Sequence, residues 1–466
     1  MPGSTHTVEA FVSVVVLNHN GASVISRCIE CLLTQSYTNF EIIVVDNNST
    51  DSSLSILQNY FNAGRIMLVR SNRNYGVPGG RNLGLSHARG EIVAFIDNDG
   101  YARDNWLTEG VKTLLSDPRL GAVAPLVFFA DNTLILNGAG GTLNLQGYGG
   151  DICFNTPFEF ATIPGEVLYP MGCGMIFRRA ALDRIGPFDS SLFNYYDDVD
   201  AGIRTWKAGY KVIVARDSQV DHGFSYTERI FKNKVLLCER NRLRVILKHF
   251  GAAYILSWLA REIPYSMRYF LTPSLRSIPI RAWAWNFLHL ASIVRWRARF
   301  PSDPRAFAHL IDATWGTYPL PTANNQAFRP AIQDAVDTLV IDGHTELPQL
   351  QFGWYNVERD GALDFRWTEE YASALFVITL ATKVMTLRLR TESVTDLVVW
   401  LKSFKDPKMD SSIVISQVSR EWSERTFGID LQPGAYRMVL SAKTVHIDAS
   451  RRRLGVAIAD IRFNLS

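Results

Sequence analysis

Four short runs rich in β-branched residues mark the first hundred positions: 11–17 (FVSVVVL), 40–45 (FEIIVV), Ile66 to Val69 and Glu91 to Ile96. The first two are each followed by polar turn residues and then by a helical pattern, and the other two continue the alternation. Short, continuous apolar runs are how strands buried on both faces read, and alternation with helices predicts a mostly parallel sheet covered by helices. Ligands of such sheets gather beyond the carboxyl ends of the strands. The polar residues directly after these runs are therefore the first place to look for chemistry.

At 466 residues the chain exceeds what one core usually organises. Three stretches are expected. Residues 1–250 form the α/β part. Residues 251–347 open with seven arginines and four tryptophans (Trp258, Trp283, Trp285, Trp296) against a single acid, Glu262. Segments such as Ala252–Ala260 and Ala282–Val294, apolar and flanked by arginine, suit helices lying in a membrane interface, and equally a helical packing layer with a basic rim. Prolines then recur from Pro301 to Pro330, which reads as a linker. From residue 348 to 466 the pattern has period two, as at Met385, Leu387 and Leu389 and again at Tyr436, Met438 and Leu440 after the turn Gln432-Pro433-Gly434, so an all-β sandwich is expected.

A formal charge of +3 is too small to imply nucleic acid, and arginines interrupt every run long enough to approach a membrane span. Five cysteines suit a reducing compartment, and the N-terminus lacks the pattern of a signal peptide, so a cytoplasmic site is expected. Cys28 and Cys31 have C-x-x-C spacing, but Ile25, Cys28, Ile29, Leu32 and Leu33 follow the rule for a buried helix face, so core packing is expected over metal or redox use.

Five clusters carry chemistry. Asp46, which opens Asp46-Asn47-Asn48-Ser49-Thr50-Asp51, ends the second run, where a carboxylate can accept from a nucleobase or ribose; Ser49, Thr50 and Asp51 also look like a helix start. The glycine-dense turn from Asn74 to Gly84, holding Gly76, Arg81 and Asn82, lets backbone N–H groups and a guanidinium approach phosphate. Asp97-Asn98-Asp99 ends the fourth run, and carboxylates two apart in extended chain can share a divalent cation, Mg²⁺ or Mn²⁺, that neutralises a departing diphosphate. Asp197, Asp198 and Asp200 precede an amphipathic helix stopped by Gly209; one can act as general base while another favours the helix N-terminus. His222 follows a short strand at Lys211–Ala215 and can complete a coordination sphere.

The segments VVVLNHNG, VVDNNSTD, NYGVPGGRNLG, AFIDNDG, GCGMIFRRAALDRIGPFD, YYDDVDAGIRTWKAGYKV and the His222 region stand in an order that resembles the family-two glycosyltransferases. The resemblance covers residues 11 to about 250 and is nearest to rhamnosyltransferase-like members of bacterial surface-polysaccharide pathways. It implies the glycosyltransferase-A fold, a Rossmann-like sheet, and inversion at the anomeric carbon by direct displacement. It further implies a nucleotide site at Asn18, Asn20, Asp46, Asn74, Gly76, Arg81, Asn82 and Asp97, and a metal at Asp97, Asp99 and His222. Gly172, Cys173, Gly174 and Asp200 are implied to line the donor or acceptor pocket, with Asp198 as base and Asp197 beside it. The donor is then a UDP- or dTDP-linked sugar and the acceptor a glycan or lipid-linked glycan at the inner face of the cytoplasmic membrane. The C-terminal stretch resembles β-sandwich modules appended to such transferases, where Trp354, Tyr355 and Trp367 can stack on sugars or fill a core.

Two other readings compete. A scaffold or carbohydrate-binding protein with a degenerate transferase half would not need the acids that this chain retains. A nucleotidyltransferase expects a basic, glycine-rich loop after the first strand, whereas Leu17-Asn18-His19-Asn20-Gly21 holds neither lysine nor arginine. A processive polymer synthase is also disfavoured, since it would carry spanning helices.

Overall fold

The computed structural model describes residues 9–130, 132–154, 156–158, 161–223, 231–271, 275–300 and 304–312, then 350–360, 363–378, 382–391, 395–403, 411–431, 434–442, 446–447, 453–454 and 457–464. The chain divides into two compact units, Met1–Asn324 and Asn325–Ser466. The expected linker from Pro301 onward and the turn at Gln432-Pro433 lie mostly outside the described residues, as do the side chains of Trp354, Tyr355 and Trp367.

The first unit opens β1 (Val12–Asn18), α1 (Ile25–Leu33), β2 (Phe40–Asp46), α2 (Ser53–Asn62), β3 (Met67–Arg70), α3 (Gly76–His87) and β4 (Ile92–Asp97). These strands pair in parallel in the order β3-β2-β1-β4, so the alternation of runs and helices folds as expected. Register aligns Asn18 with Asp46 and Leu17 with Asp97, which brings the polar ends of three strands to one edge. On α1, Ile25, Cys28, Ile29 and Leu32 are buried in the core beneath the sheet. Cys28 is part of this core and Cys31 packs against it, half-buried.

The chain continues through β5 (Gly100–Ala102), α4 (Trp106–Leu115), β6 (Leu120–Phe129), β7 (Asn132–Gly138), β8 (Gly141–Asn144), β9 (Gly149–Asp151), β10 (Thr156–Pro157), β11 (Ile176–Arg178), α5 (Arg179–Ile185), α6 (Asp197–Lys207) and β12 (Lys211–His222). Strand β11 enters antiparallel between β4 and β6. The strand expected at Lys211–Ala215 runs on to His222: a register shift between Ala215 and Gln219 lets β12 leave a purely parallel pairing with β6 and also pair antiparallel with β5. That irregularity delivers His222 opposite Gly100, beside the end of β4.

Helices α7 (Phe231–His249), α8 (Ala252–Met267), α9 (Ile278–Leu288) and α10 (Leu290–Arg299) follow. Trp258 and Ala282 join the main core, Asn286 donates to the Arg240 carbonyl, and Arg297 donates to the carbonyls of Leu247 and Phe250. The helical segment is thus a packed layer of the first unit.

Among its described residues the second unit holds eight strands in one antiparallel hydrogen-bonded sheet and a two-stranded ribbon at His446–Ile447 and Arg453–Leu454. Met385, Leu387 and Leu389 on one strand and Leu397, Val399 and Leu401 on another are buried, so the period-two pattern does mark one covered face.

Candidate active site

Asn18, at the end of β1, is buried and donates through Nδ2 to Asp46 Oδ1, Ser49 Oγ and Ser53 Oγ, each at 3.1 Å. Its Oδ1 accepts from Asn98 at 2.9 Å. One amide therefore ties the ends of β1, β2 and β4. Asn20 takes the left-handed conformation (φ 53°) and accepts from the Thr50 N–H, closing the loop over α2. Asp51 accepts from the Ser53 backbone N–H, the helix-start role its position suggests.

The glycines of the 74–84 turn have a different job from the one their density suggests. A Cβ at Gly80 would lie 2.2 Å from Leu17 Cδ1, one at Gly84 2.3 Å from Val15 Cγ1, and one at Gly76 (φ +71°) 2.1 Å from the Phe193 carbonyl oxygen. They let α3 sit directly on β1 and the neighbouring loop. Asn74 accepts from the Gly76 N–H and from Asn47, which shapes this turn. Asn82, expected at the nucleotide, instead pairs both ends of its amide with the backbone of Phe188, at 2.8 Å each.

Arg81 also departs from expectation. Rather than facing solvent for a phosphate, its buried guanidinium joins Asp197 through Nη1 and reaches Asp97 Oδ1 (3.1 Å) and the Gly172 carbonyl (2.9 Å) through Nη2. One side chain thereby holds β4, the 171–174 loop and the start of α6 together. Gly172 returns the contact, its N–H donating to Asp198 Oδ2 at 3.2 Å. Gly174 (φ +93°) donates to the Phe95 carbonyl and accepts from Trp106 Nε1 at 3.0 Å.

Asp97 and Asp99 converge on His222, whose Nε2 is 3.4 Å from Asp99 Oδ1. Its other nitrogen, Nδ1, meets Asn137 Oδ1 at 2.9 Å, and because an amide oxygen only accepts, Nδ1 carries the hydrogen and Nε2 is left for Asp99. Burial works against charge on Asp99, but the contact with His222 outweighs it and holds the carboxyl below its usual range. Asp97, Cys173 and His222 each place a ligand atom within 4.8 Å of the others. Burial, helped by the Asp97 charge, pushes the Cys173 thiol well up, so it stays neutral. A neutral thiol is a poor partner for a hard cation, whereas Asp97, Asp99 and His222 offer the oxygen and nitrogen donors that Mg²⁺ or Mn²⁺ takes. The residues present fit such an ion.

Asp197, Asp198 and Asp200 occupy the first turn of α6, where acids favour the helix dipole. Asp198 is half-buried, accepting from the Gly172 N–H and from the Val199 N–H. Withdrawal from water, then the Asp197 charge, raises its carboxyl to about 7, with Arg81 opposing. The turn before it is strained: Phe193, Tyr195 and Tyr196 have φ of 63°, 66° and 68°, unusual for bulky residues. Asn241 on α7 restrains this turn by donating to the carbonyls of Leu192, Asn194 and Tyr195.

Asp200 is a correction. It does not line a pocket but is fully buried, paired with Arg204, Lys248 and His249. Helical spacing turns it from Asp198 toward α7, and those cations hold its carboxyl well below the ordinary range in spite of burial.

The sequence reading missed Asp151, at the end of β9. It keeps an exposed surface yet is ringed by protein, and that desolvation pushes it up to about 6, while its charge acts on both His222 and Asp198. Its only sequence signal is its place after the turn Gly147-Tyr148-Gly149-Gly150.

Residues 13–186 match the family described as glycosyl transferase family 2. The O-antigen biosynthesis protein RfbC of Myxococcus xanthus is 26% identical over 227 residues, 47% of this chain and 18% of that protein. The UDP-Glc:alpha-D-GlcNAc-diphosphoundecaprenol beta-1,3-glucosyltransferase WfaP of Escherichia coli is 36% identical over 101 residues, 22% of this chain and 38% of that protein. Glycosyltransferase AglE of Haloferax volcanii is 28% identical over 210 residues, 44% of this chain and 65% of that protein. The chain thus spans less than two thirds of the length of these curated relatives. Among solved structures, a mannosyltransferase of Pyrobaculum calidifontis in complex with GDP-Man and Mn²⁺ aligns at 20% identity with a TM-score of 0.41, covering 65% of this chain and 84% of that one. With the parallel sheet, the acids at its strand ends and the motifs in their family order, residues 13–186 of this chain are a glycosyl transferase family 2 domain.

Proposed function

We propose that the first unit transfers a sugar from a nucleoside diphosphate donor, UDP- or dTDP-linked, to a hydroxyl of a surface-polysaccharide or lipid-linked glycan. The observation that carries this reading is Asp198: a half-buried carboxyl, raised to about 7 and linked through Gly172 and Arg81 to Asp97 of the Asp97, Asp99 and His222 group. A base tuned near the working pH is largely ionised and still takes a proton readily. In its carboxylate form Asp198 accepts the acceptor hydroxyl's proton while that oxygen attacks the anomeric carbon. The bond from that carbon to the diphosphate oxygen breaks, its electron pair leaves with the nucleoside diphosphate, and the configuration inverts. When bound at Asp97, Asp99 and His222, Mg²⁺ or Mn²⁺ neutralises charge on the diphosphate. Arg81 keeps Asp97 and Asp197 in place, and the end of β2 at Asp46 faces the nucleoside.

The relatives named for O-antigen synthesis and for a diphosphoundecaprenol acceptor support a surface-glycan acceptor reached at the cytoplasmic face of a membrane. All five cysteines are free thiols, which suits that compartment. The test is nucleoside diphosphate release with Mn²⁺ and a panel of UDP- and dTDP-sugars. Asp198→Asn should lower kcat by about a hundredfold to ten-thousandfold with an unchanged melting temperature. Full activity in that variant would overturn the assignment.

A further inference from the structure

Helices α8, α9 and α10 dock their inner faces on α7 and leave an apolar outer face. Leu256 and Ile263 on α8, Ile280, Phe287 and Leu288 on α9, and Val294 on α10 are all exposed, Phe287 and Leu288 at 77% and 79%. Between α8 and α9 runs a groove of about 510 Å³ lined by Leu259, Ile263, Met267, Phe270, Ile280 and Trp283. Glu262, the only acid between Phe250 and Phe300, also borders it, but its carboxylate is buried against Arg242 (2.7 Å). Arg281 and Arg295 are exposed on these helices and Arg276 on the turn just before α9, so the solvent-facing charge of the described part of this layer is wholly positive.

We propose that this layer rests on an anionic lipid bilayer, with the α8–α9 groove taking a hydrocarbon chain and the three arginines meeting headgroup phosphates. Among the described residues no helix is long and apolar enough to cross a membrane, so these helices lie along the interface. Charge decides between occupants: a second copy of the chain would set arginine against arginine with no exposed acid on these helices to pair them, whereas an anionic surface pairs all three. The inference deepens the proposed lipid-linked acceptor by naming the surface that brings the enzyme to it. It stands on this face alone, so membrane binding and sugar transfer are read separately.

The experiment is sedimentation of the full chain with vesicles of phosphatidylglycerol and phosphatidylcholine, and with phosphatidylcholine alone, at low and high salt. The chain should sediment with the anionic vesicles and release as salt rises. Phe287→Ser with Leu288→Ser should weaken binding at least about tenfold through lost apolar burial. Arg276→Glu with Arg281→Glu should abolish the anionic preference, each arginine being worth roughly fivefold. Because all four side chains are exposed, both variants should melt like the parent and turn over a water-soluble acceptor as the parent does. Background sedimentation of the parent, binding undiminished in both variants, or self-association that the Phe287/Leu288 variant abolishes without any vesicle binding would each overturn the proposal. Loss of vesicle binding with turnover intact would leave the transferase reading standing.

Discussion

Replacing Asp197 by Asn removes the charge that, after burial, does most to raise the Asp198 carboxyl. It also frees the Arg81 guanidinium from its closest carboxylate, strengthening a cation that already lowers Asp198. Both changes favour the carboxylate, so they add. A neighbouring like charge at such a site is worth about one pH unit, or ~1.4 kcal/mol. In the parent, kcat/KM should fall tenfold per pH unit below about 7, because only the ionised base accepts the acceptor proton. In Asp197→Asn that acid limb should move down to about pH 6, while the rate above pH 8 changes little. The assay is nucleoside diphosphate release at saturating Mn²⁺ from pH 5 to 9, with acceptor below KM. An acid limb that stays put would assign it to another group, Asp151 being the nearest candidate at about 6, and would refute the reasoning.

Asp200→Asn should destabilise the first unit by about 3–5 kcal/mol, since Arg204 would keep buried charge without its carboxylate and Lys248 would keep only Asp189. Because the folded Asp200 carboxyl lies below its unfolded value, its stabilisation is present above the ordinary carboxylate range and lost as pH falls below that range toward the lowered folded value; acid melting curves of the variant should be correspondingly flatter. Gly80→Ala and Gly84→Ala should each cost about 1–3 kcal/mol in denaturant titrations, by forcing a methyl into Leu17 or Val15. Asp99→Asn and His222→Ala should abolish the rise in melting temperature that Mn²⁺ with UDP or dTDP gives the parent; an undiminished rise would place the cation elsewhere.

The parallel sheet was legible because strands buried on both faces must be apolar throughout, and the acids at their ends break that run abruptly. The acids of Asp197-Asp198-Val199-Asp200 open α6, which ends, as read, with Gly209 (φ +83°) just past its C-cap. What the sequence could not convey is where a side chain goes once elements from distant positions meet. Arg81 and Asp197 are 116 residues apart, and nothing local to Asn74–Gly84 says that its arginine closes on acids instead of a phosphate. Asp151 likewise gains its role only when the β8–β9 hairpin brings it beside His222. The glycines could not be read further from the sequence, because close helix-on-strand contact and close phosphate approach demand the same missing Cβ.

The Asp197-Asp198-Val199-Asp200 run shows how one helical turn divides three identical side chains among different tasks. Successive residues on a helix are rotated by about 100°, so positions 197, 198 and 200 point in separate directions. Asp197 meets Arg81, and Asp200 points into the layer formed with α7, where Lys248 and His249 await it. Asp198 alone of the three stays partly exposed. Its two neighbours fix the helix from opposite sides, and the strained turn at Phe193–Tyr196, restrained by Asn241, sets where the helix begins. A base must sit within hydrogen-bond reach of the proton it removes, so a shift of one residue in this start would be ruinous. Asn241→Ala should therefore lower kcat much more than it raises KM. Asn241→Asp, which keeps the shape but loses the N–H donors, should do the same; an effect confined to KM would mean that the turn merely borders the acceptor.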